Sequence, residues 1–177
     1  VKGKRAVSWR LVDETAPPSR FATRVAERAQ ALASLSPEKT GPGVVLAPLD
    51  GRYGDDGVEH RHVSLKIDAE ARVAHLTMRA PEGAEPQTAT AMRQRGSELW
   101  ALRAFRELDD VLLDLRFNRP EIGVVVLETQ GDAARVLAAD AALWSEQADW
   151  FVNEVLQHMK RVLKRLDLTA RSLLAVI

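Results

Sequence analysis

The sequence predicts an α/β protein, and three observations carry that prediction. Ile122-Gly-Val-Val-Val-Leu-Glu-Thr129 is a short, nearly unbroken apolar and β-branched run, which is how a strand reads when helices bury both of its faces. Residues 63–78 alternate with period two, the mark of a half-buried hairpin. Two segments, near 97–117 and 145–166, repeat apolar residues at helical spacing. The order hairpin, helix, strand, loop, helix, strand requires at least one right-handed crossover between parallel strands.

Taken in order, the chain opens on a basic start (Lys2, Lys4, Arg5) and reaches Pro17-Pro18-Ser19, where Ser19 is a candidate N-cap. Phe21, Val25, Ala29 and Leu32 then form one apolar stripe of a helix, with Arg20, Arg24, Glu27 and Arg28 on the other side and Ser36-Pro37 at its end. Residues 37–57 are rich in Gly and Pro and predict a linker, so the boundaries expected are 1–36, 37–57 and 58–177. Val63, Leu65 and Ile67 alternate with polar residues, and Val73–Met78 returns as the partner strand. Residues 84–96 read as polar and irregular. Leu99, Leu102, Phe105, Leu108, Leu112 and Leu115 are the buried stripe of the next helix, which Asn118-Arg-Pro120 stops. After the organising strand, residues 131–140 read as a loop. A long helix follows from Ser145 to about Leu166, and Ser172–Ile177 is the last strand.

Composition narrows the function. With 177 residues, 46% of them hydrophobic, the chain can bury an ordinary domain core. Lys+Arg and Asp+Glu balance at 25 each, which argues against nucleic acid or an anionic membrane as partner. The absence of cysteine removes disulfides, thiolate nucleophiles and cysteine-bound zinc, and suits a reducing cytoplasm. No apolar run approaches the roughly 18 residues of a membrane span, and no signal peptide is visible. A start at Val1 and a last residue inside an apolar strand lead to the expectation of a segment from a longer protein.

Each chemical candidate has a plainer use. His60 and His62 share one side of a strand but lack a third metal ligand, so an exposed strand edge is expected there. Asp110 and Asp114 lie one turn apart and away from the leucine stripe, which predicts a solvated helix face rather than an acid–base pair. His75 and His158 are expected to pack or to sit at the surface. The segment from Gly131 to Asp140 lacks a phosphate-loop Lys-Ser/Thr and the three glycines of a dinucleotide fold. It offers a main-chain N–H at a turn or helix start, aimed at a carbonyl oxygen.

These residues resemble the crotonase (enoyl-CoA hydratase/isomerase) superfamily. Val63–Pro81 is similar to its opening hairpin, with Arg79-Ala-Pro-Glu82 where the family has an Asn-Arg-Pro-like turn. Val124-Val-Val-Leu127 matches its next strand, and Ser172–Ile177 resembles the strand before its second glycine-rich loop. Arg10-Leu-Val-Asp-Glu-Thr-Ala-Pro17 resembles Gly-Leu-Val-Asp-Glu-Val-Val-Pro, a signature that comes late in such a domain. A late signature placed before an early one implies that residues 1–36 are the tail of a first crotonase-like domain. Residues 58–177 would then be the front half of a second, an incomplete spiral of ββα units.

Gly131-Asp-Ala-Ala134, Val136-Leu-Ala-Ala-Asp140 and Arg165-Leu-Asp-Leu-Thr-Ala-Arg-Ser172 make the likeness more specific, to ring-cleaving members that act on aromatic coenzyme A thioesters. The resemblance implies a carbon–carbon lyase that opens 2,3-epoxybenzoyl-CoA with water and releases formate. It implies an acyl-CoA substrate, no metal or other cofactor, and a homo-oligomer. Backbone N–H groups would hold the thioester oxygen, and glutamates outside these residues would move protons. Only Ala138 lands on the first oxyanion-hole position; Ala139 stands where the family has glycine, and no catalytic residue is carried over. Two other readings stay open: a non-catalytic docking or oligomerisation half of such an enzyme, and an ordinary enoyl-CoA hydratase.

Overall fold

A computed structural model describes residues 2–36, 43–169 and 171–176, and divides the chain into two units, Val1–Gly43 and Val44–Ile177. In the first unit, α1 (Gly3–Ser8) is followed by α2 (Pro18–Leu35). Pro18 occupies the first helical position, where its missing N–H costs nothing, and Pro17, not Ser19, precedes the helix as its cap residue. Arg24 ties the helix to Glu14 at 2.8 Å and pairs with Glu27, one turn on in the same helix, at 2.8 Å. The predicted stripe is present, but Phe21, Val25 and Leu32 are all exposed. The stripe is a property of the helix, whereas burial needs a second layer.

The second unit is built on a six-stranded sheet whose spatial order is its sequence order: β1 (Arg52–Gly54), β2 (Gly57–Glu59), β3 (Val63–Asp68), β4 (Val73–Arg79), β5 (Val124–Gln130) and β6 (Ser172–Ala175). Strands β1 to β4 form an antiparallel meander, while β4, β5 and β6 run parallel. The predicted hairpin is in register, with Val63 opposite Met78 and Asp68 opposite Val73. The parallel pairs need crossovers. The first runs through α3 (Ala89–Arg95) and α4 (Trp100–Asn118), the second through α5 (Ala133–Ser145) and α6 (Trp150–Asp167).

The leucine stripe of α4 covers one face of the sheet. Phe105, Leu108, Val111, Leu112 and Leu115 pack with Val63, Leu65, Leu76 and Val125, and Val162 of α6 completes that core. A second cluster joins the start of α4 to α3, α5 and α6 through Met92, Trp100, Leu143, Phe151 and Val155. Within this unit the described helices pack on one face, and β5 is half-buried: Val125 is sealed, but Val124 and Val126 keep some exposure. The expectation of a strand buried on both faces therefore fails. Its apolar run is shared between a packed face and an open one.

Three further segments differ from their sequence reading. Residues 84–96 hold α3, capped by Thr88, whose hydroxyl accepts from Ala91 N–H. The supposed loop 131–140 is mostly α5. The expected linker is shorter than 37–57, because residues 44–57 belong to the second unit; 37–42 lie outside the described residues. Two of its glycines, Gly51 against the His60 ring and Gly57 against β3, serve close packing rather than slack. Gly57 has φ +137°, and a Cβ built there would lie 1.8 Å from the Leu65 carbonyl oxygen across the β2–β3 pair. Gly57→Ala is thus expected to separate β2 from β3 and lower the melting temperature, whereas Gly83→Ala, with open space around it, should leave it unchanged. Parallel thermal melts of the two variants check this.

Candidate functional site

Ligands of open α/β sheets bind beyond the carboxyl ends of the parallel strands. Here that rim is formed by Arg79-Ala80-Pro81 after β4 and Gln130-Gly131-Asp132 after β5. The two loops touch. Ala80 N–H donates to the Gln130 carbonyl at 2.8 Å, and Gly131, at φ +107°, would place a Cβ 2.8 Å from the Ala80 Cβ. Glycine is required there both for its backbone angle and for the close approach. Asp132 then caps α5, its Oδ1 accepting from Ala134 N–H at 2.8 Å.

This geometry corrects the reading of Ala138. It is the sixth residue of α5, and a helical ladder directs its N–H back to the carbonyl four residues earlier rather than towards a ligand. Ala139, read above as standing at a glycine position, is buried among α3, α4 and α6. Among the rim's main-chain donors, Ala133 N–H, the first of α5, makes no hydrogen bond to any described residue. The capping pattern of Asp132 two residues before Ala134 was the available sequence signal for this helix start.

Beside the β4 end lies a cavity of about 380 Å³, lined by Arg61, His62, Glu82, Arg95, Glu98 and Trp100 among others. Its walls are cross-linked. Trp100 Nε1 donates to the Arg79 carbonyl at 3.0 Å, and Trp100 N–H donates to Glu85 at 2.9 Å. Arg61 pairs with Glu82 at 3.1 Å, a contact that holds the Glu82 carboxyl below its ordinary range. Arg135 reaches back from α5 to the Glu82 carbonyl. Arg95 makes no ion pair within 4.0 Å among the described residues.

His62 owes its place to Glu107 of α4. That carboxylate is fully buried and accepts the backbone N–H groups of His62 at 2.6 Å and Val63 at 3.2 Å, with Arg103 Nε at 3.0 Å. Burial lowers the pKa of the His62 imidazole, so the ring is neutral at pH 7. Its ring nitrogens bond to no described residue.

The two histidines do not form an exposed strand edge. Both lie in the connection from β2 to β3 and are buried, and they serve different neighbourhoods. His60 Nε2 meets Asp110 Oδ2 at 3.0 Å, and its ring stands edge-on to Tyr53 with centroids 6.0 Å apart. The Tyr53 hydroxyl donates to the same Asp110 oxygen. Asp110 and Asp114 are likewise not a solvated pair. Asp114 is buried, accepting from Asn118 at 2.8 Å and Arg119 at 3.2 Å. Arg119 in turn donates to the carbonyls of Gly54 and Asp55 and so holds the β1–β2 turn. His75 is a surface residue as expected, paired with Glu128 at 2.9 Å.

Partial burial first, and the hydrogen bond to Asp110 second, push the Tyr53 phenol up to about 12. Tyr53 is the chain's one tyrosine, so its ionisation reads out alone. An absorbance titration should show a midpoint near that value, returning towards about 10 in Asp110→Asn or on unfolding. The folded-state value is raised, so its stabilisation is complete below about pH 10 and is lost as pH rises through the folded pKa.

Fold and rim together define a mixed α/β protein with a polar, ligand-sized cavity at the carboxyl end of its parallel strands. Over 178 aligned residues, its whole length, the chain is 39% identical to the benzoyl-CoA-dihydrodiol lyase of Aromatoleum evansii. It spans 32% of that relative's length. No protein-family model matches the chain. Among the described residues, no helix is long and apolar enough to cross a membrane.

Proposed function

We propose that the chain is part of a crotonase-type coenzyme A thioester lyase that opens 2,3-epoxybenzoyl-CoA with water and releases formate. The observation that carries this reading is the 39% identity along the entire chain to a lyase whose name specifies a benzoyl-CoA derivative. Under this reading residues 1–36 are the tail of one crotonase-like domain, and the sheet unit is the front of a second. The substrate carries its own coenzyme A, no other cofactor takes part, and the working protein is a cytoplasmic homo-oligomer. The rim after β5 would hold the thioester oxygen through Ala133 N–H, since Ala138 spends its N–H inside α5.

The residues in hand supply positioning rather than proton transfer. A main-chain donor fixed at the start of a helix stabilises negative charge as it builds on the thioester oxygen, and it needs no reorganisation at that moment. The test is turnover of 2,3-epoxybenzoyl-CoA by the full-length protein, followed by formate release. Turnover of that thioester well above hydration of crotonyl-CoA is expected, and the reverse preference would make the protein an ordinary enoyl-CoA hydratase.

A second reading, in which this unit only docks or oligomerises, is favoured by the burial of Ala139 and the helical position of Ala138. Ala133→Pro separates the two. Proline is tolerated at the first helical position and its extended predecessor Asp132 accommodates it, so the N–H is deleted while the helix stays. If the rim is catalytic, kcat should fall about 10²–10³-fold, the usual effect of losing one oxyanion donor. An unchanged kcat assigns the unit to docking.

A further inference from the structure

The outer face of α4 and α6 carries a groove that the rim does not use. At the amino end of α6 it is a hollow of about 480 Å³ whose walls include Leu46, Leu102, Leu113, Trp150, Phe151 and Val155. At the carboxyl end it is a hollow of about 430 Å³ lined by Arg116, Lys160, Arg161, Lys164 and Arg165, with no carboxylate in its wall. Gln157 and Arg161 line both, so the hollows are two ends of one groove. It follows α6, whose 18 residues span about 27 Å.

The charges at the two ends are unevenly used. Of the five cations, Arg165 is paired with Asp109 at 2.5 Å, and Arg161 donates to the neutral His158 ring at 2.9 Å. Lys160, Lys164 and Arg116 make no ion pair within 4.0 Å among the described residues, and all three are exposed. At the apolar end the charged groups are mostly committed. Asp110 serves Tyr53 and His60, and Arg106 holds the Ala47 carbonyl at 2.9 Å, fixing the 44–50 arm over α4. Glu154 is the exposed carboxylate there.

A chain with balanced charges thus concentrates uncompensated positive charge at one end of a groove and apolar surface at the other. A helix carboxyl end favours one or two cations through its dipole, but this cluster also recruits Arg116 from α4. We propose that this groove is a second ligand site, for a phosphorylated amphiphile. An aromatic or alkyl body lies against Leu46, Leu113 and Trp150, and its phosphate lies among Arg116, Lys160, Arg161 and Lys164. Acyl thioesters of coenzyme A and lysophosphatidic acids both have this chemistry.

Calorimetric titrations of the full chain with benzoyl-CoA, free coenzyme A, benzoate and a lysophosphatidic acid below its micelle concentration test the site. Saturable binding of benzoyl-CoA or the lysophosphatidic acid is expected, with none of benzoate, and which of the two binds identifies the natural source. Raising NaCl from about 50 to about 300 mM should weaken binding about tenfold, since the cations are exposed and screened. Lys160→Glu with Lys164→Glu should weaken it at least as much. Trp150→Ala should weaken the amphiphile while leaving free coenzyme A unchanged. These side chains are exposed, so unaltered circular dichroism is expected alongside. No binding by either amphiphile overturns the proposal. So does binding that both variants leave intact but Arg95→Ala abolishes, because the ligand would then occupy the rim. Turnover is not the readout, so failure here is distinct from failure of the proposed lyase reaction.

Discussion

Glu107→Ala is expected to destabilise the sheet unit by about 3–5 kcal/mol, the usual cost of removing one partner from a buried ion pair. Glu107 is completely buried, and Arg103 keeps only 12% of its side chain exposed. The variant leaves that guanidinium without its 3.0 Å partner and strands the N–H groups of His62 and Val63 where water cannot replace the carboxylate. It also unpins the start of β3 from α4, since one carboxylate bridges the two. A drop in melting temperature of about 10 °C is the scale to look for. Adding Arg103→Met should recover little of the loss, because Arg103 keeps its 2.6 Å pair with Glu98 when Glu107 is removed. A melting temperature within a degree or two of the parent would show that the bridge contributes little.

Leu112→Ala should cost about 2–5 kcal/mol, the range for emptying a buried leucine site. Leu112 is 1% exposed and faces the sheet side chains Val63, Leu65 and Leu76. The strands cannot collapse onto the gap, because their backbone ladders hold them on both sides. Its neighbour Leu113 points to the outer groove and keeps partial exposure, so Leu113→Ala should cost clearly less. Phe117 is 70% exposed, and its alanine variant should be close to neutral. Denaturant unfolding of the three variants gives the order directly, and equal losses at Leu112 and Leu113 would contradict the assigned helix face.

The contrast between those leucines shows how much was legible beforehand. Periodicity identifies the α4 stripe, and the structure buries every member of it. The β3–β4 hairpin was equally clear, because alternation reports a half-buried strand whichever sheet it joins. Helix α5 was missed. Its Ala-rich sequence carries little amphipathic contrast, so the Asp132 cap is the main mark of its start. Helix α3 was hidden for a similar reason: a polar surface helix shows few apolar residues, and only Met92 and Ala89 mark its buried side.

The candidate site was less legible still. Glu107 read as one polar residue on a helical face, yet it is the anchor of the His62 backbone. Asp110 and Asp114 lie off the leucine stripe, and periodicity alone cannot tell water from an approaching arm. Here the arm is residues 44–57, brought across α4 by Tyr53 and by the turn that Arg119 holds.

By itself, then, the sequence determined the α/β class, the hairpin, the two long helices and the likeness to thioester-handling enzymes. These are local or cumulative properties, written in the spacing of neighbours. Only the tertiary structure decided which face of β5 is covered, where α5 starts, and which carboxylates are buried. It also decided that Ala138 sits within a helix and that two ends of α6 meet in one groove. The buried carboxylates depend on contacts between residues about fifty positions apart, and a polar side chain shows its partner only when the fold has taken water away from it.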